Sequence, residues 1–384
     1  MEYAIIHYAE IGLKGGNRAY FEGMLVINVK HALDSKDYES VKRVYGRILA
    51  KLKPKADIKK VEAALKHIPG ISYFSFALRS KLDMGSIEKN ILELAKDLNE
   101  TTTFRITAKK STTKVKLGSM DVNQKLGQMI VDKFKSKVNL DNPQVNFIIE
   151  LTDEGAFVYK EKLKGIGGLP VGVSGKLVCL ISGGIDSPVS AFKMFKRGCN
   201  VTFVHFQNNT ANKKIVQDKV SKLVKTLSRY QLRTKLYIVP FDELQKHIIA
   251  IIPAKYRMII YRRFMLRIAE QVLKKEKAKG FVTGDSLAQV ASQTLENLNA
   301  IYEATTVPIF APLIGLDKQE IINIAQDIGT YETSILPYSD CCSFLIAKHP
   351  ETRAKVVEIK KLEDSLDVKE LIDKAFSKTE IEQI

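Results

Sequence analysis

Leu177-Val178-Cys179-Leu180-Ile181 runs directly into Ser182-Gly183-Gly184-Ile185-Asp186-Ser187, and this junction decides the fold. Five consecutive apolar residues read as a strand buried on both faces, because a half-exposed strand would alternate. The following stretch, 188–196, has helical spacing and is stopped by Gly198. Outward from there the alternation repeats, with strands at 201–206, 235–241 and 281–283 and helices at 213–228, 256–275 and 317–328. Apolar strands joined by helical crossovers predict a doubly wound parallel sheet, in which ligands bind at the carboxyl ends of the strands.

The turn between the first strand and its helix carries chemistry. Gly183 and Gly184 let the backbone approach an oxyanion, and the free N–H groups of a helix start supply donors aligned with its dipole. Pyrophosphate is the natural guest, so ATP is expected to bind here and to be cleaved between its α and β phosphates. The G-x-x-x-x-G-K-[ST] phosphate loop differs, since no Lys follows these glycines and Asp186 stands inside the turn. A carboxylate beside phosphate needs a mediating cation, so Asp186 is expected to act through Mg²⁺ brought with ATP. The same residues would also suit a tight strand-to-helix turn in which Ser and Asp only cap.

Composition narrows the class. A chain of 384 residues exceeds a usual single domain. Its 60 Lys and Arg against 43 Asp and Glu give a formal charge of +17, which suits a polyanionic partner. The start, Met1-Glu2-Tyr3, has an acidic residue where a secretory leader needs a basic one, and no apolar run reaches membrane-spanning length. A cytoplasmic location is expected. Of the four cysteines, Cys179 and Cys199 lie in or beside strands and read as buried inert thiols. Cys341 and Cys342 are adjacent, a spacing that suits neither a zinc site nor a comfortable disulfide, and they follow Pro337 in a predicted loop.

Toward the amino terminus the pattern is mixed. Strand character at 3–9, a glycine turn at 12–17, a helix at 18–32, a strand at 41–52, a helix at 58–66 and a strand at 71–78 predict a small ferredoxin-like module. A helix at 86–98 and a strand at 103–108 open the next stretch. Between 101 and 120 the first Asp or Glu after Arg105, Lys109, Lys110, Lys114 and Lys116 is not reached, so these cations form an unscreened run. Gly167-Gly168-Leu169-Pro170 lies in a predicted linker spanning 165–175.

Ser182-Gly183-Gly184-Ile185-Asp186-Ser187 resembles the signature of PP-loop ATP pyrophosphatases. The likeness extends to Tyr8-Ala9-Glu10-Ile11-Gly12-Leu13-Lys14-Gly15, to Gly167-Gly168-Leu169-Pro170-Val171-Gly172, to Arg262-Arg263-Phe264-Met265-Leu266-Arg267, and to the stretch from Val282-Thr283-Gly284-Asp285-Ser286 through Gln293-Thr294-Leu295-Glu296-Asn297. All of these are similar to the tRNA 4-thiouridine synthetases of the ThiI family. The resemblance implies an α/β chain in three parts: a ferredoxin-like α+β domain at 1–75, a THUMP RNA-binding domain at 76–165, and a PP-loop catalytic domain at 166–384. It implies adenylation of a tRNA uridine at O4 and displacement of AMP by sulfur carried as a cysteine persulfide, with a further link to sulfur supply for the thiazole of thiamine.

The same resemblance assigns roles. Leu180, Ile181, Ser182, Gly183, Gly184, Ser187, His205, Phe206, Arg262, Gly284 and Gln293 would surround ATP, with Lys318 assisting the activated phosphate beside Asp186. Arg105, Lys109, Lys110, Lys114 and Lys116 would meet RNA phosphates, whose charge dominates such affinity. Cys341 or Cys342 would carry the persulfide, Cys341 being the first choice and its neighbour resolving it. Some relatives append a rhodanese domain with the sulfur-bearing cysteine, yet few residues follow Pro350 here; others hold an iron–sulfur cluster through a C-x-x-C where this chain has Met258 and Tyr261. The expected donor is therefore an external cysteine desulfurase, and the expected partners also include tRNA and a second copy of the chain. Two other classes use such a loop or such a charge: a PP-loop ligase for amidation or lysidine formation, and an RNA-binding protein for which nucleotide is only a structural ligand.

Overall fold

The computed structural model describes residues 1–44, 46–112, 117–208, 213–337 and 347–384. They form two compact units, Met1–Gly168 and Leu169–Ile384. In the first, the chain order is β1 (Tyr3–His7), α1 (Arg18–Ala32), β2 (Tyr38–Val44), β3 (Arg47–Leu52), α2 (Ile58–Leu65), β4 (Tyr73–Ser80), α3 (Met84–Leu94), β5 (Thr103–Lys110), α4 (Ser119–Phe134), β6 (Lys137–Val138), β7 (Val145–Thr152), β8 (Gly155–Tyr159) and β9 (Leu163–Lys164). Strands follow the spatial order β2-β3-β1-β4-β8-β7-β5-β6, with β9 also on β4.

The single strand expected at 41–52 is instead two, β2 and β3, paired antiparallel with Val44 opposite Arg47. Gly46 between them takes φ +82°, a conformation that side chains with a Cβ resist. Long β4 belongs to both halves of the sheet. Helices α1 and α2 bury Leu25, Val29, Val61 and Leu65 against Ile48 and Phe74, while α3 and α4 bury Ile87, Ile91, Leu126 and Ile130 against Phe104 and Phe147. A third, smaller core joins Tyr3, Ile5 and Leu49 to Ile148, Phe157 and Tyr159.

Beside this small core sits buried Glu150 of β7. It accepts from Tyr159 Oη at 2.5 Å, lies 3.0 Å from His7 Nε2 and is paired with the Arg47 guanidinium. Burial works to raise its carboxyl, but the His7 and Arg47 contacts and the Tyr159 hydrogen bond prevail and hold it at about 2.

The second unit continues with β10 (Lys176–Leu180), α5 (Asp186–Lys196), β11 (Asn200–Gln207), α6 (Lys213–Ser228), β12 (Lys235–Pro240), α7 (Asp242–Ile251), α8 (Arg257–Glu276), β13 (Phe281–Val282), α9 (Leu295–Tyr302), β14 (Ile309–Phe310), α10 (Lys318–Asp327), α11 (Tyr331–Ser334), α12 (Val356–Glu363), α13 (Val368–Ser377) and β15 (Glu380–Gln383). The strand order is β14-β13-β10-β11-β12-β15, parallel throughout except for β15. Both faces are covered, as the apolar strands require. Val178, Val204 and Tyr237 share a core with α7, α8, α12 and α13. Residues of the opposite parity face α5: Phe203 meets Phe195 edge-on, and Cys179 Sγ lies 3.9 Å from Ser187 O.

The order in which strands are added reverses at β10. From it the chain steps one way to β11 and β12 and later returns on the other side to β13 and β14. Such a switch point opens a crevice at the carboxyl ends of the strands. Among the described residues no helix is long and apolar enough to cross a membrane.

Candidate active site

The strand ends β10, β11 and β13 meet around a cavity of about 480 Å³. Leu180, Ile181, Ser182, Asp186, Ser187, His205, Phe206, Arg262, Gly284 and Gln293, each expected from the sequence to face ATP or act beside it, all line it. Gly183 and Gly184 form the turn itself and are not among the lining residues. The loop is held from within. Ser182 N donates to Ser187 Oγ at 2.9 Å, and Gly184 N to Ser182 Oγ at 3.3 Å. The helix begins at Asp186, two residues earlier than its apolar spacing indicates, so Asp186 and Ser187 occupy the first turn where backbone N–H groups lack carbonyl partners.

Gly284, just past β13, supports the loop from below. A Cβ there would lie 2.9 Å from Ser187 N and 3.1 Å from Asp186 C, so only glycine lets the end of β13 and the start of α5 approach this closely. Ser190 Oγ, completely buried, donates to Thr283 O at 2.7 Å and ties α5 to the same strand end.

Two charged sets are anchored on lining residues, Asp186 in one and Arg262 with Asp285 in the other; Lys318, expected beside Asp186, touches it but is not itself among the lining residues. In the first, Lys318 Nζ lies 2.8 Å from Asp186 Oδ1, and Gln289 Nε2 donates to Asp186 Oδ2 at 3.0 Å. Lys318 is the first residue of α10, fixed there by a capping box in which Asp317 accepts from Glu320 N and the Glu320 carboxylate accepts from Asp317 N. In the second, Arg262 from α8 donates to both carboxylate oxygens of Asp285 at 2.7 Å. Tyr302 Oη and Gln293 Nε2 donate to the same group at 2.8 and 3.2 Å. Burial works to raise the Asp285 carboxyl, yet the Arg262 charge and the donated hydrogen bonds hold it below the ordinary range. Arg262 thus lines the cavity as expected, but part of its donor fork is taken up by Asp285. Gln293 Oε1 is buried with no donor bonded to it, and Gln293 lines the cavity, so this oxygen is an acceptor available to a ligand's donor.

His205 Nδ1 lies 3.0 Å from Ile181 O, so that nitrogen carries the proton and the ring is oriented by the neighbouring strand. The loop that supplies Gln289 and Gln293 is closed by Ala288 N to Gln293 O at 2.9 Å and by Gln293 N to Val290 O at 2.8 Å. Ala288 within it takes φ +60°, uncommon for a residue with a side chain.

In the first unit, Arg105, Lys109 and Lys110 lie on strand β5, which runs two residues past the strand expected at 103–108. Lys109 and Lys110 are exposed, whereas Arg105 spends a donor on Leu140 O at 2.7 Å. Lys162, which sequence reading passed over, joins them: burial, then the neighbouring Lys109 and Arg105 charges, push its ammonium below the ordinary lysine range. Its Nζ sits 5.0 Å from the centre of the Tyr73 ring, and His7 stacks on that ring at 4.4 Å. Lys114, Lys116, Cys341 and Cys342 lie outside the described residues.

The family model described as thiamine biosynthesis protein (ThiI) matches residues 172–368. Models of the ThiI ferredoxin-like domain and the THUMP domain match 3–75 and 81–161. A probable tRNA sulfurtransferase of Thermoanaerobacter pseudethanolicus is 41% identical over 96% of both chains. The chain belongs to the ThiI family. A second relative so named, from Thermus thermophilus, is 40% identical over 97% of this chain and 92% of its own. A crystal structure of a 4-thiouridine synthetase–RNA complex with bound ATP superposes with a TM-score of 0.90 at 36% identity, covering all of each chain. The structure of PH1313 from Pyrococcus horikoshii, at 23% identity and a TM-score of 0.66, shares the fold.

Against this ThiI background, three residues missed by sequence reading stand out: Gln289, Asp285 and Tyr302. Of these, Asp285 and Gln289 sit inside stretches already noted for their resemblance, but what each one binds depends on partners brought near only by folding. Cys179 and Cys199 are buried, as expected, and burial pushes both thiols up, most strongly for Cys179. Both are thereby kept as unreactive thiols.

Proposed function

We propose that this protein is an ATP-dependent tRNA uridine 4-sulfurtransferase, acting in the cytoplasm. The observation that carries the reading is the loop 182–187 opening, at a sheet switch point, onto a cavity lined by Asp186, whose carboxylate is paired with Lys318. A nucleoside triphosphate fits that arrangement: an apolar wall from Leu180, Ile181 and Phe206, an unpartnered acceptor on Gln293, and helix-start N–H groups for the phosphates.

The residues also fit Mg²⁺ in its usual mode, one protein carboxylate completed by substrate phosphates and water. Asp186 supplies that carboxylate: of the other acids lining the cavity, Asp285 is occupied by Arg262, Tyr302 and Gln293, and Glu351 pairs with Lys255. Mg²⁺ when bound would neutralise charge on the phosphates. Helix-start donors would grip the β and γ phosphates, and Lys318 would balance charge developing at the α phosphate as the bond to pyrophosphate breaks.

Uridine O4 attacks the α phosphorus, pyrophosphate leaves, and the base carries AMP at C4. A persulfide on Cys341 or Cys342, loaded by a cysteine desulfurase, then attacks C4 and AMP departs with the original oxygen. Attack of the neighbouring thiol on the carrier sulfur frees the thiolated base and leaves a disulfide between adjacent residues, strained and therefore readily reduced. The exposed Lys109 and Lys110, with Lys162, are the proposed tRNA phosphate contacts, and a homodimer sharing one tRNA would add a second such patch. The parts at 1–75, 76–165 and 166–384 divide this labour as ferredoxin-like, RNA-binding and catalytic domains. A sulfur-supply role for the thiamine thiazole would use the same persulfide.

The test is mass spectrometry of 4-thiouridine in bulk tRNA from cells lacking the protein, resupplied with wild type or with Cys341→Ala/Cys342→Ala. Wild type should restore the modified base. The double variant should not, while still releasing pyrophosphate when given ATP and tRNA; full thiolation by it would overturn the sulfur route.

A further inference from the structure

Asp186 is the carboxylate carried by the phosphate loop itself, and its two oxygens have partners of different kinds. Oδ1 faces the ammonium of Lys318, a long side chain that is about half exposed (46%) and therefore weakly held. Oδ2 accepts from the carboxamide of Gln289 at 3.0 Å, a neutral donor on a short, closed loop. That loop is pinned at several points. Leu287 N donates to Ile314 O at 3.1 Å, Ser286 Oγ to Leu316 O at 3.1 Å, and Ala288 N to Gln293 O at 2.9 Å.

The unusual φ of +60° at Ala288 belongs to the same argument. A non-glycine residue in the left-handed region costs of the order of 1 kcal/mol and persists only where the surroundings impose it. Here it immediately precedes Gln289 and turns the chain so that Gln289 lines the cavity with Asp186 rather than pointing to solvent.

Resting on the reading of Asp186 as the Mg²⁺ carboxylate, we infer that Gln289 is a positioning residue: by holding Oδ2 it fixes the plane of the Asp186 carboxylate and leaves Oδ1 to exchange Lys318 for the cation. An oxygen already bound to a fixed neutral donor cannot rotate toward the metal, so the metal meets a single, preset oxygen. Lys318, once displaced, is free to follow the phosphate. A charged residue at 289 would not serve. A cation there would compete with Mg²⁺, and a carboxylate would repel Asp186, whereas an amide orients without altering the charge.

The experiment uses the full chain with a non-cleavable α,β-methylene analogue of ATP, and measures binding by calorimetry across a Mg²⁺ titration. Gln289→Leu removes the donor at nearly constant size. The Mg²⁺ concentration that half-saturates the enhancement of analogue binding should rise about tenfold, as expected for losing one hydrogen bond to a charged group. Affinity measured without Mg²⁺ should stay within about twofold, because the rest of the cavity is untouched. Asp186→Asn is the reference and should abolish the Mg²⁺ enhancement. Ala288→Gly, which relieves the backbone without removing the amide, should leave the Mg²⁺ midpoint unchanged. If Gln289→Leu leaves the midpoint where it was while Asp186→Asn abolishes the enhancement, the positioning role is refuted and the Mg²⁺ reading stands. If Asp186→Asn leaves the enhancement intact, both fall.

Discussion

Replacing Gly284 by alanine adds one methyl group to a strand end, and the structure specifies what it strikes. The new carbon would lie 2.9 Å from Ser187 N, 3.1 Å from Asp186 C and 3.2 Å from Asp186 Cβ, against ordinary contacts that begin at 3.4 Å. Two of these three atoms are backbone at the start of a helix, so no side-chain rotation relieves them. The loop must retreat by about 0.5 Å or strand β13 must move by the same amount, an overpacking that costs about 1–3 kcal/mol. Asp186, with its contacts to Lys318 and Gln289, moves with the loop. Because a misplacement of about 1 Å of a catalytic group lowers rate about a hundredfold, half that shift should lower kcat for tRNA-dependent pyrophosphate release about tenfold. KM for tRNA should hardly change, since the RNA contacts proposed here belong to the first unit. Gly127→Ala in α4 is the control: nothing lies within 4 Å of a Cβ there, and alanine in a helix interior should stabilise by about 1 kcal/mol with no effect on pyrophosphate release. A Gly284→Ala enzyme with kcat within twofold of wild type would refute the claim that this glycine sets the loop.

Further outcomes follow from other contacts. Glu150, held at about 2 against an ordinary 4.5, contributes stability that is fully present above pH 4.5 and is lost as pH falls toward 2. Glu150→Gln should therefore lower the urea midpoint of the first unit at pH 7 and flatten its dependence on pH between those limits; a parallel loss at every pH would contradict this. Asp285→Asn strips Arg262 of its counter-charge in a mostly buried setting and should cost about 3 kcal/mol, read by urea unfolding of the catalytic unit. Lys109→Ala and Lys162→Ala should weaken tRNA binding and each reduce the slope of log affinity against log salt by about one, measured by filter binding; unchanged slopes would remove them from the interface.

The catalytic half was legible because its signals are local. An unbroken apolar run, a glycine pair and a helix start within eleven residues of one another encode strand, turn and helix without help from elsewhere. The pairing of Arg262 with Asp285 was not legible. Arg262 stands on an amphipathic helix and reads as a phosphate ligand, and only the fold brings a carboxylate to its fork. Gln289 was hidden for the same reason: nothing in a lone glutamine announces that its partner lies at Asp186. The hairpin β2–β3 was misread as one strand because Val44, Tyr45 and Arg47 are all good strand residues, and a single Gly46 without Asn or Asp before it is a weak turn signal. Strand β15 escaped notice since Glu380-Ile381-Glu382-Gln383 is short and polar; it exists because β12 offers an open edge and Glu382 accepts from Gln217 and Ser221 at 2.8 Å.

The four side chains gathered at Glu150 bear on how this protein can be rebuilt. His7 and Arg47 come from the ThiI ferredoxin-like segment, and Glu150 and Tyr159 from the THUMP segment, so the buried Glu150 carboxylate draws its basic partners from across the segment boundary. A chimaera that grafts a foreign THUMP module onto this amino-terminal segment inherits Arg47 with no acid to meet it. Such grafts should fold only when the incoming module brings its own acid at the position of Glu150, so the two segments are best exchanged together, as a single cassette.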